Sequence, residues 1–499
     1  MAAVTVASLA LGSVLLGAVV ALIFDAFGSR PAAVGLAAFG LLGAAGVWGY
    51  SAATMRASAT VTGVTPVWGA LRVGGSFSAV GAAITALAAV AVLGVWGELT
   101  RREWGGSLAA LIAFGAATSV VVAQAKDVTV LLIGLETAAA CAYALVSSSQ
   151  SRGSREAAFK YFVQGAIATA FFIVGMGVLV TVFVPTGDID LLPQALGEGV
   201  PIAVALSSVV LLISALAFKA GAVPFHSWAP DAYESADPWA AAFLAAGPKV
   251  GAIAALAVLA SFATTGQMGL PVVGVVTILA VLSVLVGSVT ALRQRSYTRM
   301  LGYAGIAQVG YALVAVATTA QPQVAVFFIC SYALATTGTF LSATAFRKVR
   351  PEWDGSIEGL AGMAKVAPLL SVCTAILVIS LAGIPPLLGF WAKFVVFGTA
   401  LVNAVGMFQS SQPGFGWFSA VAAVAGLAGS VVSLAYYGGV LRALYAPSIA
   451  EDDRTPSEPV IRTDGGSASW AVLAVTLAVI GIGLIPLFAG VDALLGVFR

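Results

Sequence analysis

Charge, histidine and cysteine are all scarce in this 499-residue sequence, and the first of these deficits sets the class of protein. Charged residues make up 9% of the chain and hydrophobic residues 60%. Nine per cent is too little charge to cover the surface of a soluble globule of this length. Because helices satisfy their own backbone hydrogen bonds in lipid, we predict an all-α polytopic membrane protein.

Three cysteines and one histidine are too few for a metal centre. Cys141, Cys330 and Cys373 lie in separate apolar stretches without metal-ligand spacing, so we interpret them as small buried hydrophobic residues. An iron–sulfur cluster takes about four thiolates. Neither the dinucleotide motif G-x-G-x-x-G nor the phosphate loop G-x-x-x-x-G-K-S/T occurs in the chain. We therefore expect no metal site and no cofactor-binding site here.

Apolar stretches long enough to span a bilayer, at about 20 residues per helix, occur fourteen times. The first has no basic segment before it and exceeds the apolar core of a signal peptide, so we predict that it is retained. The predicted spans are residues 4–24, 33–50, 77–97, 106–124, 128–146, 157–184, 204–229, 239–263, 270–292, 300–319, 323–346, 366–400, 417–445 and 469–489.

The distribution of Lys and Arg predicts the orientation of these spans. An even number of spans places both ends of the chain on one side, where the loops and ends carry four basic residues, Arg56, Arg72, Lys126 and Arg499. The loops on the other side carry sixteen. Because cytoplasmic loops are enriched in Lys and Arg, both termini are predicted to face outward. The basic loops follow from this topology and indicate no nucleic acid partner.

Four ionisable residues lie inside otherwise uncharged apolar segments: Glu136, Lys219, Lys249 and Lys393. Such a residue at bilayer depth costs at least ~2.5 to 3.5 kcal/mol and usually marks a partner or a pathway. Glu136 is the only acid deep in a span, so we predict that it pairs with Lys219 and that opening of the pair passes a proton to Lys249. The simpler alternatives are a lysine that snorkels to the headgroups, above all Lys393, and a glutamate that only bonds a neighbouring helix.

Helix breakers stand beside the lysine in spans seven and twelve. Proline removes a backbone donor and clashes with the preceding turn, so both spans are predicted to be broken. Paired broken helices occur at corresponding positions of inverted-repeat transporters. The predicted breaks are at Gly221 and Pro224 after Lys219 and at Pro385 and Pro386 before Lys393.

The chain is accordingly divided into four parts. Spans four to eight and nine to thirteen, residues 106–263 and 264–445, are predicted to form two inverted five-helix repeats. Residues 1–105 hold the first three spans. Residues 446–499 hold a polar cytoplasmic loop and span fourteen.

His226, the only histidine, follows Lys219 by seven residues, which on an unbroken helix places both on one face. Imidazole titrates near neutral pH, so one interpretation is an accessory proton relay. The other is a structural histidine that bonds a loop carbonyl. Since the chain has no second histidine, a metal-ligand role is not expected.

Five stretches, taken together, resemble one known family: EAAFKYFVQGAIATAFFIVGMGVL, AFKAGAVPFHSWAPDAYE, AAFLAAGPKVGAIAAL, RMLGYAGIAQVGY and AGIPPLLGFWAKFVVF. In their order and spacing they closely resemble subunit N of the bacterial proton-pumping NADH:quinone oxidoreductase, respiratory complex I. The resemblance runs from about residue 77 to the end. It departs from the family pattern in SADPWAAAF after Glu234 and in RVGGSFSAV, which lacks an expected aspartate, and these departures touch only loop detail.

The resemblance implies an antiporter-like membrane subunit of a proton-translocating enzyme. Protons would move along a central row of buried residues, driven by quinone reduction elsewhere in the complex. In the family pattern Glu136 and Lys219 form the coupled ion pair, Lys249 is the central relay, Lys393 faces the outer exit and His226 is an accessory. NADH, FMN, iron–sulfur clusters and quinone would belong to other subunits, and this chain would hold no redox centre.

The same resemblance implies which partners the chain has in the membrane. Its partners would be the other membrane-arm subunits of complex I, including sister antiporter-like subunits, together with the lipids of the bacterial inner membrane.

Three other functions compete with this interpretation. A Mrp-type cation/proton antiporter subunit would share the glutamate of span five and the lysine of span seven. Two features distinguish a complex I subunit from it: the lysine at position 249, and co-purification with a flavin and iron–sulfur arm. A stand-alone transporter of an organic solute needs a polar pocket at the midplane, and the spans offer mainly Ala, Val, Leu and Gly. A structural scaffold leaves the four buried charges without a role.

Overall fold

The structure is a computed structural model that describes residues 2–54, 59–60, 71–73, 75–183, 187–191, 201–263, 268–319, 321–447 and 466–490. Within these residues, fourteen helices are long and apolar enough to cross a membrane, which confirms the predicted number. The predicted loop at 451–467 lies outside the described residues except for its last two positions. Arg56, Arg454, Arg462 and Arg499 also lie outside them.

The helices are numbered here by span, and the two broken spans have halves a and b. Short helical segments at Trp96–Leu99, Ile189–Leu191, Glu358–Leu360 and Met363–Val366 connect them, and strands β1 (Ala59–Thr60) and β2 (Arg72–Val73) pair antiparallel. The helices are α1 (Ala2–Ala26), α2 (Arg30–Thr54), α3 (Gly75–Gly94), α4 (Gly105–Gln124), α5 (Val128–Ser147), α6 (Arg152–Val178), α7a (Ile202–Ala220), α7b (Trp228–Ser235), α8 (Pro238–Ala263), α9 (Gly269–Ala291), α10 (Tyr297–Thr318), α11 (Pro322–Val349), α12a (Pro368–Ala382), α12b (Leu388–Gln409), α13 (Pro413–Tyr445) and α14 (Gly466–Ala489).

Helices α8, α10 and α11 form the centre of the bundle. In the most apolar 18-residue stretch of each of these three helices, 94% of the residues are buried. The corresponding share in α6, at the periphery, is 28%. Small residues allow this packing. A Cβ on Gly251 in α8 would lie 2.6 Å from the carbonyl oxygen of Ser119 in α4, so the two backbones approach too closely for any larger residue. The central helices are therefore enclosed by protein on almost every side.

Both predicted helix breaks are present. Helix α7a ends at Gly221 with φ of 80°, and α12a ends at Gly383 with φ of 88°. Glycine adopts this left-handed conformation without the Cβ clash that other residues meet, so each helix stops where the sequence supplies one. The peptide bonds before Pro224 and Pro386 are cis. The broken spans seven and twelve are confirmed, whereas the limits of the two repeats, 106–263 and 264–445, stay a prediction.

The predicted end of span twelve at residue 400 is wrong, because α12b continues to Gln409. The added length contains the polar residue Asn403. Its side-chain amide donates to the carbonyl oxygen of Thr318 at 2.6 Å, so the group is satisfied by the end of α10. A polar residue that bonds a neighbouring helix can stay within a membrane helix.

Asp25, at the end of α1, caps the start of α4, which sequence reasoning did not anticipate. The carboxylate accepts hydrogen bonds from the backbone amides of Gly106 (3.2 Å) and Ser107 (2.8 Å) and from the Ser107 hydroxyl (2.6 Å). The first amides of a helix have no partner within it, and a negative charge there is favoured by the helix dipole. Asp25 therefore ties α1 to α4.

We expect Asp25→Ala to lower the free energy of unfolding by about 1 to 2 kcal/mol, the usual effect of removing a cap. Chemical unfolding of the purified protein measures it. Asp25→Asn is the matched control, since its amide oxygen still accepts a hydrogen bond, and we expect a smaller loss. Equal stability of the alanine variant and the parent would contradict the capping role.

Candidate functional site

The first two of the predicted charges, Glu136 and Lys219, join α5 to α7a. Lys219 Nζ lies 3.4 Å from Glu136 Oε1, and the Thr169 hydroxyl of α6 donates to the same oxygen at 2.6 Å. The Lys219 side chain is 8% exposed, whereas that of Glu136 is 41% exposed. The structure thus brings together the two residues paired from the sequence. The lysine faces the interior, and the glutamate lies at the outer surface of the chain.

Lys249 in α8 is completely buried, and its Nζ makes no hydrogen bond to any of the described residues. Aromatic faces surround it: Nζ lies 5.3 Å from the ring centre of Tyr233 and 6.0 Å from that of Tyr332. The negative faces of aromatic rings attract a cation. Two glycines make the space, since a Cβ on Gly221 or on Gly305 would lie 3.9 or 3.2 Å from Nζ. Lys249 therefore lies directly beside the break in span seven.

Pro248 precedes this lysine inside α8 and leaves the helix one hydrogen bond short. The carbonyl it would have bonded belongs to Leu244, and the Tyr233 hydroxyl donates to it at 3.4 Å. Pro248 also lines a small cavity that Lys219 and Tyr161 share, with a free volume of about 10 Å³. A cavity of this size holds about one water molecule. A water-sized space thus lies beside Lys219 and reaches Pro248, the residue that precedes Lys249.

Lys393 lies on the far side of the second break. Its Nζ donates to the Ala382 carbonyl at the end of α12a (2.8 Å) and to the hydroxyls of Ser430 (3.0 Å) and Ser433 (3.4 Å) of α13. A positive charge at a helix C-terminus is favoured by the helix dipole. The residue is 5% exposed. The alternative of a snorkelling lysine is therefore wrong, because the ammonium group is bonded inside the bundle.

His226 lies in the turn between α7a and α7b. Its Nδ1 is buried without a hydrogen bond of ordinary geometry to the described residues, and neither a hydrogen bond nor an ion pair among them joins it to Lys219 or Lys249. The neighbouring Ser227 hydroxyl donates to the side chain of Gln164 in α6 at 2.9 Å. The geometry does not bring the histidine into the row of buried charges, and its role stays a prediction.

Acidic residues anchor α7b to the helices on both sides. Arg299 of α10 pairs with Asp231 (2.9 Å) and with Glu234 (2.7 Å), and Lys160 of α6 pairs with Asp231 (3.5 Å). These groups lie at the end of the bundle where Arg102 pairs with Asp237 at 2.7 Å. The short helix after the first break is thereby held in place by charge.

Sequence reasoning missed the polar groups that line the row. They are hydroxyl-bearing side chains on helices far apart in the chain, and the only signal for them was their position within apolar spans. The principal ones are Thr169, Tyr233, Tyr311, Tyr332, Ser430 and Ser433. Among the described residues no group of three or more His, Cys, Asp or Glu side chains could hold a metal ion.

Residues 125–412 match the family described as NADH:quinone oxidoreductase/Mrp antiporter, TM. This segment is more than half of the chain and contains all four buried charges. The chain belongs to this family. The broken α7 and α12 and the lysines beside the two breaks all lie within the part that the family covers.

Curated relatives extend the match. The NADH-quinone oxidoreductase subunit N 2 of Acidobacterium capsulatum is 34% identical over 71% of this chain and 71% of its own length. Among solved structures, a chain of respiratory complex I from Thermus thermophilus with bound aureothin has a TM-score of 0.75 at 26% identity, covering 98% of this chain and 99% of that one. A chain of the Mrp complex from Dietzia sp. DQ12-45-1b has a TM-score of 0.78 at 20% identity, covering 99% and 97%, and shows likeness of fold alone.

Proposed function

We propose that this antiporter-family chain is a membrane subunit of a proton-translocating NADH:quinone oxidoreductase and that it conducts protons along Glu136, Lys219, Lys249 and Lys393. One observation carries the proposal. Three lysines lie almost wholly buried at the two breaks of the bundle. Buried ionisable groups at membrane depth are retained where they pair with each other or line an ion path.

The Glu136–Lys219 contact is the natural point of control. A carboxylate near an ammonium group favours its charged form, and separation of the two removes that support in a site with little water. The released proton passes through the water-sized cavity beside Lys219 and Pro248 to Lys249. From there it leaves towards Lys393. Movement of one pair would thus change the proton affinity of the whole row.

The proposal extends to the rest of the complex, with the names of the relatives as its support. NADH, FMN, the iron–sulfur clusters and quinone are assigned to other subunits, and quinone reduction there drives this chain. The exposed side of Glu136 is covered in the assembly by a neighbouring membrane-arm subunit or by lipid. The setting is the bacterial inner membrane.

Both termini are proposed to face the outer side. Support comes from the excess of Lys and Arg in the loops of the opposite side and from the pairing of loop charges within each side. Arg72 pairs with Asp190, and Lys126 pairs with Asp188 at 3.0 Å, at one end of the bundle. Arg102 and Asp237 pair at the other.

Transport of an organic solute fits the geometry poorly. The cavities beside Lys219 and Lys393 have free volumes of about 10 Å³ each, enough for one water molecule. A Mrp-type antiporter subunit is a related family whose likeness extends to the fold, and the subunit N relatives are closer in sequence.

Replacing Glu136 with glutamine tests the proposed function. Glutamine keeps the shape and the hydrogen bond from Thr169 but removes the charge that faces Lys219. We expect proton translocation per assembled complex to fall about tenfold, a modest share of what a positioned proton-transfer group contributes. NADH-driven proton uptake by inverted membrane vesicles measures it.

The matched control is Glu156→Gln, which removes a largely exposed carboxylate that pairs with Lys160 on α6 at 2.8 Å. A solvent-exposed pair of this kind contributes little to stability, so we expect translocation as in the parent. Undiminished translocation in the Glu136 variant would remove the basis of the proposed path.

A further inference from the structure

Tyr332 of α11 lies between the second lysine of the row and the third. The residue is 5% exposed, and its hydroxyl makes no hydrogen bond of ordinary geometry to any described residue. The side chain of Thr336 lies near enough to interact with this hydroxyl, but without the geometry of an ordinary hydrogen bond. Most buried polar groups have a well-formed partner, so a weakly bonded hydroxyl in the most enclosed part of the bundle calls for a role. Neither the family match nor the pairing of Glu136 with Lys219 gives this hydroxyl a role.

The hydroxyl of Tyr332 shares one small space with the ammonium group of Lys249. A Cβ built on Gly305 of α10 would lie 2.6 Å from Tyr332 Oη and 3.2 Å from Lys249 Nζ. The two polar atoms are therefore no farther apart than the sum of these distances. The absence of a side chain at Gly305 keeps the space between them open.

On its other side Tyr332 reaches the surroundings of Lys393. Both residues line one cavity of about 10 Å³, together with Gln308, Ser331 and Ser380. The cavity has the volume of about one water molecule and several polar groups in its wall, which is what a buried water requires. Gln308 is fixed there by a hydrogen bond from its amide to the Leu381 carbonyl at 3.1 Å.

We propose that the Tyr332 hydroxyl relays protons between Lys249 and Lys393. The proposal rests on the proposed function of the chain as a proton path. The Lys249 ammonium group donates a proton to Tyr332 Oη while that hydroxyl releases its own proton to a water in the cavity. The water passes a proton to the neutral amine of Lys393. Tyrosine and water end as they began, and one positive charge has moved from Lys249 to Lys393.

Tyr332→Phe in the intact complex is the direct test, because it removes the hydroxyl and keeps the ring that faces Lys249. We expect proton translocation per assembled complex to fall about tenfold, with water replacing the hydroxyl only in part. We also expect a larger slowing in D₂O than in the parent, since proton transfer becomes limiting. A purely structural hydroxyl would leave that isotope effect unchanged.

The matched control is Thr344→Val, which removes another buried hydroxyl without a hydrogen-bond partner from the same helix, twelve residues away. We expect the parent rate and isotope effect. If Tyr332→Phe has the translocation rate and the isotope effect of the parent, the relay is wrong. If Glu136→Gln is impaired in the same assay, the proposed function stands and only the relay is wrong, whereas parent behaviour of both variants overturns the proposed function as well.

Gly305→Ala separates packing from proton transfer. Its Cβ collides with Tyr332 Oη, so we expect less assembled complex. In the double variant Gly305→Ala with Tyr332→Phe, the nearest ring atom lies at 3.7 Å, an ordinary contact. The remaining close atom is Lys249 Nζ at 3.2 Å, the end of a flexible side chain that can shift by a few tenths of an ångström. We expect assembly to recover and translocation per assembled complex to stay about tenfold low. If assembly and translocation per assembled complex both recover in the double variant, the relay is wrong and the Tyr332 hydroxyl has only a packing role.

Discussion

Replacing Lys249 with methionine is expected to lower proton translocation by more than about tenfold while the protein keeps its fold. Lysine and methionine have similar unbranched side chains, so the packing against Tyr233 and Tyr332 is retained. The thioether cannot carry a proton. Lys249 is the only lysine in α8, and the proposed path from Lys219 to Lys393 passes its position.

The stability of the Lys249→Met variant is expected to stay equal or to rise while its translocation activity falls. Lys249 Nζ is completely buried without a hydrogen-bond partner among the described residues. Exchanging buried charged groups for well-packed apolar ones is often neutral or stabilising by ~1 to 4 kcal/mol. We therefore expect the methionine variant to unfold at the same temperature as the parent or a higher one. Loss of translocation together with equal or greater stability would separate function from folding.

Inverted vesicles give the translocation rate, and thermal unfolding of the purified complex gives the stability. Lys348→Met is the matched control, because that lysine lies in the last turn of α11, outside the row. Lys249→Arg is the informative second variant, since a guanidinium group keeps the charge and does not release its proton in proteins. Parent-like translocation in the arginine variant would show that a fixed charge suffices, which contradicts a relay at Lys249.

Replacing Gly389 with alanine is expected to prevent assembly or to cost more than about 4 kcal/mol. Gly389 is the second residue of α12b, and a Cβ there would overlap the carbonyl oxygen of Ser380 in α12a. The Ser380 hydroxyl also accepts a hydrogen bond from the Gly389 amide at 3.1 Å. Neither backbone can move aside, since each belongs to a helix that ends at the break. The geometry that places Lys393 beside Ala382 depends on this contact.

Gly398→Ala is the control on the same helix, where a Cβ would meet nothing within 4 Å. Alanine favours the helix by up to about 1 kcal/mol at such a position, so we expect equal or slightly greater stability. The amount of assembled complex on a native gel and its unfolding temperature measure both variants. Parent-like assembly of Gly389→Ala would mean that α12a and α12b do not meet as closely as described.

Local sequence signals predicted the framework well. The span count followed from uninterrupted apolar runs, and the breaks at Gly221 and before Pro386 followed from residues that end a helix wherever they stand. The end of span twelve was the exception. The helix continues nine residues beyond the predicted end, and its polar Asn403 is accommodated by a hydrogen bond to Thr318 of another helix.

Contacts between distant helices could not be predicted in this way. Asp25 lies 81 residues before the amide of Gly106 that it caps, and the serine hydroxyls of α13 that bond Lys393 have no distinguishing pattern. Such contacts depend on which helices are neighbours and how they are rotated. Hydropathy specifies neither the neighbours nor the rotation, because the lipid-facing and the protein-facing surfaces of these helices are both largely apolar.

The sequence by itself determined a polytopic helical membrane protein, fourteen crossings, two broken spans and the identity of four ionisable residues in apolar surroundings. Those conclusions need only the energy of placing one segment in lipid. The tertiary structure decided that Lys393 is bonded inside the bundle, that Glu136 lies at its surface and that Tyr332 stands between two lysines. Each of these depends on close packing between helices, which is set by the shapes of side chains that are far apart in the chain.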